Sequence, residues 1–164
     1  MRLKTLLSFL VVFALAAVAS AQTKVSGTLQ CGKPDQQHGI EVGDRPNHSF
    51  VISQMKCTWT KSLEIGGVQS KEDVYTQFVE VSGNRSYGQL YGVGTMTNGD
   101  KYYLRPQGSG TLKEGVFESM EGKWSFAGGT GKLKGLKGKG TYKGKGAPDG
   151  TFTVEVEGEY ELPK

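Results

Sequence analysis

Four residues between positions 31 and 57 carry the side chains of a metal site: Cys31, His38, His48 and Cys57. Two thiolates with two imidazoles suit zinc in composition, but their spacing is wide and matches no compact knuckle. In an exported chain, which the first 21 residues indicate, two cysteines more simply form one disulfide, Cys31 to Cys57, because oxidising compartments favour that bond. It would stabilise the fold by roughly 3 to 4 kcal/mol in the chain-entropy account. A disulfide with two surface histidines is therefore the expectation, and the zinc set the alternative.

Other chemistry is thinly represented. Nucleophilic hydrolysis needs a base beside a serine or cysteine, yet both histidines lie in one N-terminal stretch with no nucleophile elbow near them. The Gly-Lys pairs between Gly131 and Lys145 invite a phosphate-loop reading, but none is followed by the Ser or Thr of a Walker loop and their flanks read as strands. No cofactor motif is present. What remains is a set of aromatics, Tyr91, Tyr102, Trp124, Tyr142 and Tyr160, which would either line a pocket for a flat apolar ligand or simply fill a core. One carboxylate joins them. The strand registers place Glu118 inward, between Val116 and Met120, where a lone buried acid would have a raised pKa and serve as proton donor or ligand anchor. A one-residue slip or bulge would instead turn Glu118 out and bring Phe117 in.

The elements that must position these residues are strands. From Phe152 to Leu162 the chain alternates strictly, with Phe152, Val154, Val156, Tyr160 and Leu162 on one side and Thr153, Glu155, Glu157, Glu159 and Glu161 on the other, the period of a strand with one buried face. Before it, Lys137, Lys139, Lys143 and Lys145 alternate with Gly138, Gly140, Tyr142 and Gly144. The turn Ala147-Pro148-Asp149-Gly150 joins the two, and pairing Ala147 with Thr151 sets Lys143 opposite Glu155, Lys139 opposite Glu159 and Lys137 opposite Glu161. Those charges form an outer ladder, and the glycines face inward, where missing side chains relieve crowding in a tightly coiled sheet.

Upstream, Val25 to Cys31 reads as a strand, Gly32 to Pro46 as a polar loop, Phe50 to Trp59 as a second strand and Leu63 to Glu72 as a connection. A meander follows. Asp73 to Ser82 turns at Gly83-Asn84 into Ser86 to Thr97, which turns at Asn98-Gly99 into Asp100 to Leu112, and Glu114-Gly115 leads into Val116 to Phe126. Two-residue turns at the first two sites put Val74, Phe78, Tyr91, Val93, Tyr102 and Leu104 on one face. A three-residue turn at Lys113 to Gly115 carries that face through Leu112, Val116, Met120, Trp124 and Phe126, which makes it the interior. Tyr75, Val79, Val81, Leu90 and Tyr103 form a second apolar set, which a bulge would exchange with the first or a subunit interface would cover. Eight strands joined mostly by tight turns, with no long helix, predict an all-β protein, an eight-stranded antiparallel up-and-down β-barrel, since closure removes exposed edges.

The segment Phe126-Ala127-Gly128-Gly129-Thr130-Gly131-Lys132-Leu133-Lys134-Gly135-Leu136-Lys137-Gly138 resembles the glycine-rich segment of the allene oxide cyclase and dirigent β-barrel superfamily, where it leaves one barrel strand and enters the next. The resemblance implies an eight-stranded, calycin-like barrel with an internal cavity and, in the plant relatives, trimers. It carries no catalytic residue over to a position in this chain. The cysteine pair and the lysine-rich seventh strand depart from the plant families.

The chain has 164 residues. Met1 to Lys4, the apolar run from Leu6 to Ala19 and Ala19-Ser20-Ala21 have the charged, apolar and small-residue regions of a cleavable signal peptide, 1–21, and the run is shorter than the roughly 20 residues of a bilayer span. Residues 22–164 then form one barrel domain, secreted or periplasmic. Loss of Arg2 and Lys4 takes the formal charge from +4 to +2, so charge implies no nucleic-acid partner, and no membrane partner is implied after cleavage. The 25 glycines show no collagen period. Two functions remain: a non-catalytic exported barrel that binds a small apolar ligand or has a structural role, and a cyclase-like or dirigent-like catalyst that confines a reactive intermediate. A homo-oligomer is compatible with either.

Overall fold

A computed structural model describes residues 22–163; the segment read as a signal peptide lies outside them. The described chain is almost entirely strand: β1 (Thr23–Cys31), β2 (Gln36–Glu41), β3 (His48–Lys61), β4 (Glu64–Ile65), β5 (Val68–Ser82), β6 (Arg85–Met96), β7 (Lys101–Leu104), β8 (Gln107–Lys113), β9 (Val116–Gly129), β10 (Lys137–Gly146) and β11 (Phe152–Glu161), with one short 3-10 turn at Gly131–Leu133. Antiparallel ladders run from β3 to β5, β6, the β7 and β8 pair, β9, β10, β11 and β1, and β1 closes the ring onto β3. β7 and β8 are one barrel strand interrupted at Arg105-Pro106, where proline has no N–H to give the ladder. The barrel is therefore eight-stranded, antiparallel and closed. Among the described residues no helix is long and apolar enough to cross a membrane.

The final hairpin follows its sequence pattern. The Ala147 N–H donates to the Thr151 carbonyl at 2.8 Å, and Lys143 faces Glu155, Lys139 faces Glu159 and Lys137 faces Glu161. Those side chains lie outside, and none of the ion pairs within 4 Å among the described residues joins them. The ladder is aligned without being locked.

Elsewhere the registers depart from the sequence reading in three places. The turn at Asn98-Gly99 has three residues, with the Met96 N–H donating to the Asp100 carbonyl and Gly99 left-handed at φ 87°. One added residue exchanges the faces of everything before it. Tyr75, Val79 and Val81 therefore point inward with Tyr102 and Leu104, while Val74, Phe78, Tyr91 and Val93 point out. Secondly, Glu114 and Gly115 form a two-residue turn with both residues left-handed, φ 53° and 80°, the conformation that matches strand twist. A bulge then follows, because Thr111 faces Ser119 but Leu112 faces Phe117, and Glu118 is the unpaired residue between. Thirdly, the stretch read as a polar loop contains β2, which pairs with β3 beyond the point where β1 ends. All six β2 residues are exposed, so the strand has no burial period for a sequence reading to detect.

The interior has a filled end and a hollow end. At the filled end the β3–β5 connection and the 3-10 turn fold inward, and Leu63, Ile65, Met96, Tyr102, Leu133 and Leu136 are at most 2% exposed. The glycine-rich segment thus supplies two of the plug residues. Glycines on the wall let aromatic rings lie flat against it: a Cβ at Gly140 or Gly158 would stand within 2.6 Å of the Trp124 indole, and one at Gly122 within 2.7 Å of the Tyr142 ring. Rings pressed on the wall leave the axis of the other end empty.

Candidate functional site

The hollow end is a cavity of about 610 Å³, within the range of small-molecule sites. Its wall is mostly apolar, with Trp59, Tyr75, Leu90, Trp124, Tyr142 and Val156 around the deeper part. Among the apolar wall residues stand Ser53, Gln77 and Ser86, and Gln77 donates to Ser53 Oγ at 2.7 Å. Lys33, Gln37 and Thr151 lie where β2 has no partner on its outer edge. Burial pushes the Tyr142 hydroxyl up to about 12, so at neutral pH it is a neutral donor.

Between the cavity and the filled end lies Asp73, with no exposed surface. Its Oδ1 accepts from Trp59 Nε1 at 2.9 Å and from the Tyr102 hydroxyl at 2.5 Å, and its Oδ2 accepts from the Tyr75 hydroxyl at 2.7 Å. No ion pair among the described residues includes it. Burial raises its pKa above the usual carboxylate range, and the bonds from Tyr102, Trp59 and Tyr75 oppose that shift without cancelling it. Tyr75 and Tyr102 are themselves pushed well above the ordinary phenol value, first by burial and then by the neighbouring carboxylate. Trp59 and Tyr75 line the cavity; Asp73 stands behind them. A group bound beside Tyr75 would meet a phenol oxygen whose own hydrogen is committed to a carboxylate.

The residues named from sequence divide as follows. Trp124 and Tyr142 line the cavity. Tyr102 is buried beneath it as an Asp73 donor, and Tyr160 is buried at the filled end, where its hydroxyl accepts from the Gly66 N–H at 3.0 Å. Tyr91 is 43% exposed on the outer face, displaced there by the three-residue turn, and pairs with Tyr103. Glu118 is exposed at its bulge, while Phe117 lines the mouth, so the inward carboxylate is Asp73. The sequence held one signal for it: Asp73 shares the parity of Tyr75, Val79 and Val81, the apolar set that the assumed turn placed outside.

Cys31 and Cys57 face each other on β1 and β3 and are joined as a disulfide. The zinc alternative fails with that bond, since the cysteines are consumed, His38 is exposed on β2, and His48 is held by two carboxylates. Among the described residues no group of three or more His, Cys, Asp and Glu could hold a metal ion. Asp100 Oδ2 takes the Lys132 N–H at 3.1 Å, so a carboxylate occupies a backbone donor that a phosphate would need.

No protein-family model matches the chain, and no curated protein matches it. Among solved structures it is similar to the pterocarpan synthase dirigent protein GePTS1, with 13% identity over 88% of this chain and 92% of that one at a TM-score of 0.50. The pterocarpan synthase dirigent protein PsPTS1 matches at 14% identity over 88% and 97% with a TM-score of 0.49. A pyocyanin demethylase matches at 16% identity over 81% and 98% with a TM-score of 0.43. At such identities the likeness is one of fold: the chain has a dirigent-like β-barrel.

Proposed function

We propose that the protein binds a small, largely apolar, flat molecule inside the barrel. The observation that carries this reading is the 610 Å³ cavity, whose aromatic walls are held apart rather than collapsed on one another. Its polar side chains are few against a mostly apolar wall, which suits a ligand with an apolar body and few polar groups. The N-terminal leader pattern and the disulfide support action outside the cytoplasm, secreted or periplasmic.

The test is native mass spectrometry of protein purified from its own host, paired with titration of a neutral naphthylamine probe. One retained small molecule per chain, and probe affinity on the order of tenfold weaker in Leu90→Trp, which fills the cavity, are expected. A wild-type barrel that binds no probe, or a Leu90→Trp variant that binds it equally, overturns the reading.

Asp73 favours a second reading, in which the barrel confines a reactive intermediate. A buried carboxylate with raised proton affinity, bonded to a cavity-lining phenol, can hold or move a proton at the Tyr75 oxygen. The readings part at Asp73→Asn: a binding protein keeps the same retained molecule, whereas a catalyst accumulates a different one.

A further inference from the structure

We propose that His48 is a pH-sensitive latch that pins the β2–β3 hairpin beside the mouth of the cavity. That hairpin borders the opening, since Gln37 of β2 and Val51 of β3 line the cavity, and β2 is paired along one edge only. Its tip, residues 42–47, is tied down at few points. The Val42 N–H donates to the His48 carbonyl and the Gly83 N–H to the Asn47 carbonyl, both at 2.9 Å. The remaining ties are side chains gathered around His48, itself only 6% exposed.

The His48 ring spans two acids. Nδ1 lies 2.5 Å from Asp44 Oδ1 on the tip, and Nε2 lies 3.0 Å from Glu80 Oε1 on β5. Only the imidazolium has a hydrogen on each nitrogen, so only the charged ring satisfies both carboxylates. The charged groups around it are Asp44 and Arg45 from the tip and Glu80 from β5, with Phe50 against the ring at 5.9 Å. Arg45 pairs with Asp44 at 2.5 Å, reaches Glu80 at 3.9 Å and donates to Ser82 Oγ. Arg45 disfavours a second positive charge, and the carboxylates outweigh it. The bond to Asp44, then the bond to Glu80, raises the His48 pKa above its ordinary 6.5.

When the ring loses its proton, one bare nitrogen faces a carboxylate. One of the two joints must open: opening Asp44–His48 frees the tip from the first residue of β3, and opening His48–Glu80 removes the side-chain bond between that residue and β5, so either loosens the cluster under the tip. A folded-state pKa above the unfolded value means the latch holds fully below the ordinary histidine range and is released as pH rises through the raised value. Release loosens the tip, which Arg45 still ties to Ser82, without breaking a barrel ladder, since β3 keeps its pairing with β5.

Hydrogen exchange of the full-length oxidised protein, followed by mass spectrometry and corrected for intrinsic exchange rates, tests this between about pH 5.5 and about pH 8.5. Protection of the Val42 and Gly83 amides, the two backbone donors that hold the tip, is expected to fall on the order of tenfold across that range, the loss of one charge-assisted bond, while β9 to β11 remain unchanged. Glu80→Gln is the decisive variant, because its amide donates to the neutral ring as readily as its carbonyl accepts from the charged one. It should hold the tip at both ends of the range. Wild-type protection that does not change with pH, a fall spread evenly over the barrel, or a Glu80→Gln protein with the wild-type pH response each overturns the latch, independently of whether the cavity takes a ligand.

Discussion

The two ends of the barrel are built from the same strands, with the same alternation, yet one is packed and the other hollow. At the packed end, two connections fold into the lumen and bring Leu63, Ile65, Leu133 and Leu136 to the axis. At the hollow end three connections are tight turns at Gly83-Asn84, Glu114-Gly115 and Pro148 to Gly150, too short to reach inward, and the long one, residues 32–47, runs as the exposed β2 beside the mouth instead of plugging the lumen. An eight-stranded barrel is about as wide as its own side chains can fill, so whether it holds a ligand depends on what its loops and wall residues contribute. The large aromatics of the hollow end lie flat on glycines and contribute little to the axis. Room for a ligand in this barrel is thus confined to one end, and close packing is concentrated in the other.

The largest effect that would test this contrast is a matched truncation. Leu133→Ala at the packed end removes methyl groups from a site that cannot collapse and should cost about 2 to 5 kcal/mol of unfolding free energy. Leu90→Ala on the cavity wall removes groups that already border empty space and should cost about 1 kcal/mol. Urea denaturation of the two variants reads the difference directly. Equal costs would mean that the hollow end is as tightly packed in solution as the other.

Asp73, at the boundary between the ends, gives a smaller and pH-dependent effect. Its folded-state pKa lies above the unfolded value near 3.8, so its contribution to stability is fully present below that unfolded value and is lost as pH rises through the folded one. Asp73→Asn has no such group. Its unfolding midpoint should therefore gain on the wild type as the pH is raised from about 3.5 toward neutrality, and level off once the wild-type carboxylate is ionised. A gap that does not change with pH would show a carboxylate already ionised throughout, with its three donors outweighing burial.

Much of this architecture was legible in the sequence. The charged and glycine-backed faces of β10 and β11 fixed their register from the turn between them, and a leader-like N-terminal pattern with two cysteines pointed to the disulfide. What escaped was set by single residues in turns. Whether Asn98-Gly99 closes with two residues or three depends on backbone hydrogen bonds around Asp100 that no alternation encodes, and that one residue moved Tyr91 out and Asp73 in. The bulge at Glu118 stood as an alternative that the sequence could not decide, since Val116 and Phe117 are both apolar and either could begin the inward phase. β2 left no trace because a strand exposed on both faces has no apolar period. The candidate site was therefore half visible: Trp124 and Tyr142 could be read from a well-defined hairpin, whereas the Asp73 cluster required a register that only the folded sheet supplies.

The smallest expected effect locates the contrast between the ends inside the barrel rather than on its surface. Lys139 faces Glu159 toward the packed end and Lys143 faces Glu155 toward the hollow end. All four side chains point away from the lumen, and neither pair closes to within 4 Å among the described ion pairs. Exposed cross-strand charges of this kind contribute about 0 to 1 kcal/mol. Lys139→Glu and Lys143→Glu should therefore each lower stability by less than about 1 kcal/mol, by the same amount within error, and less so as salt is added. Guanidinium would itself screen these charges, so urea titrations at low and high sodium chloride are the suitable measurement. Were Lys139→Glu to cost several times more than Lys143→Glu, the outer face would share in holding the packed end together, and the division of the molecule into a packed end and a hollow end would no longer rest on the lumen alone.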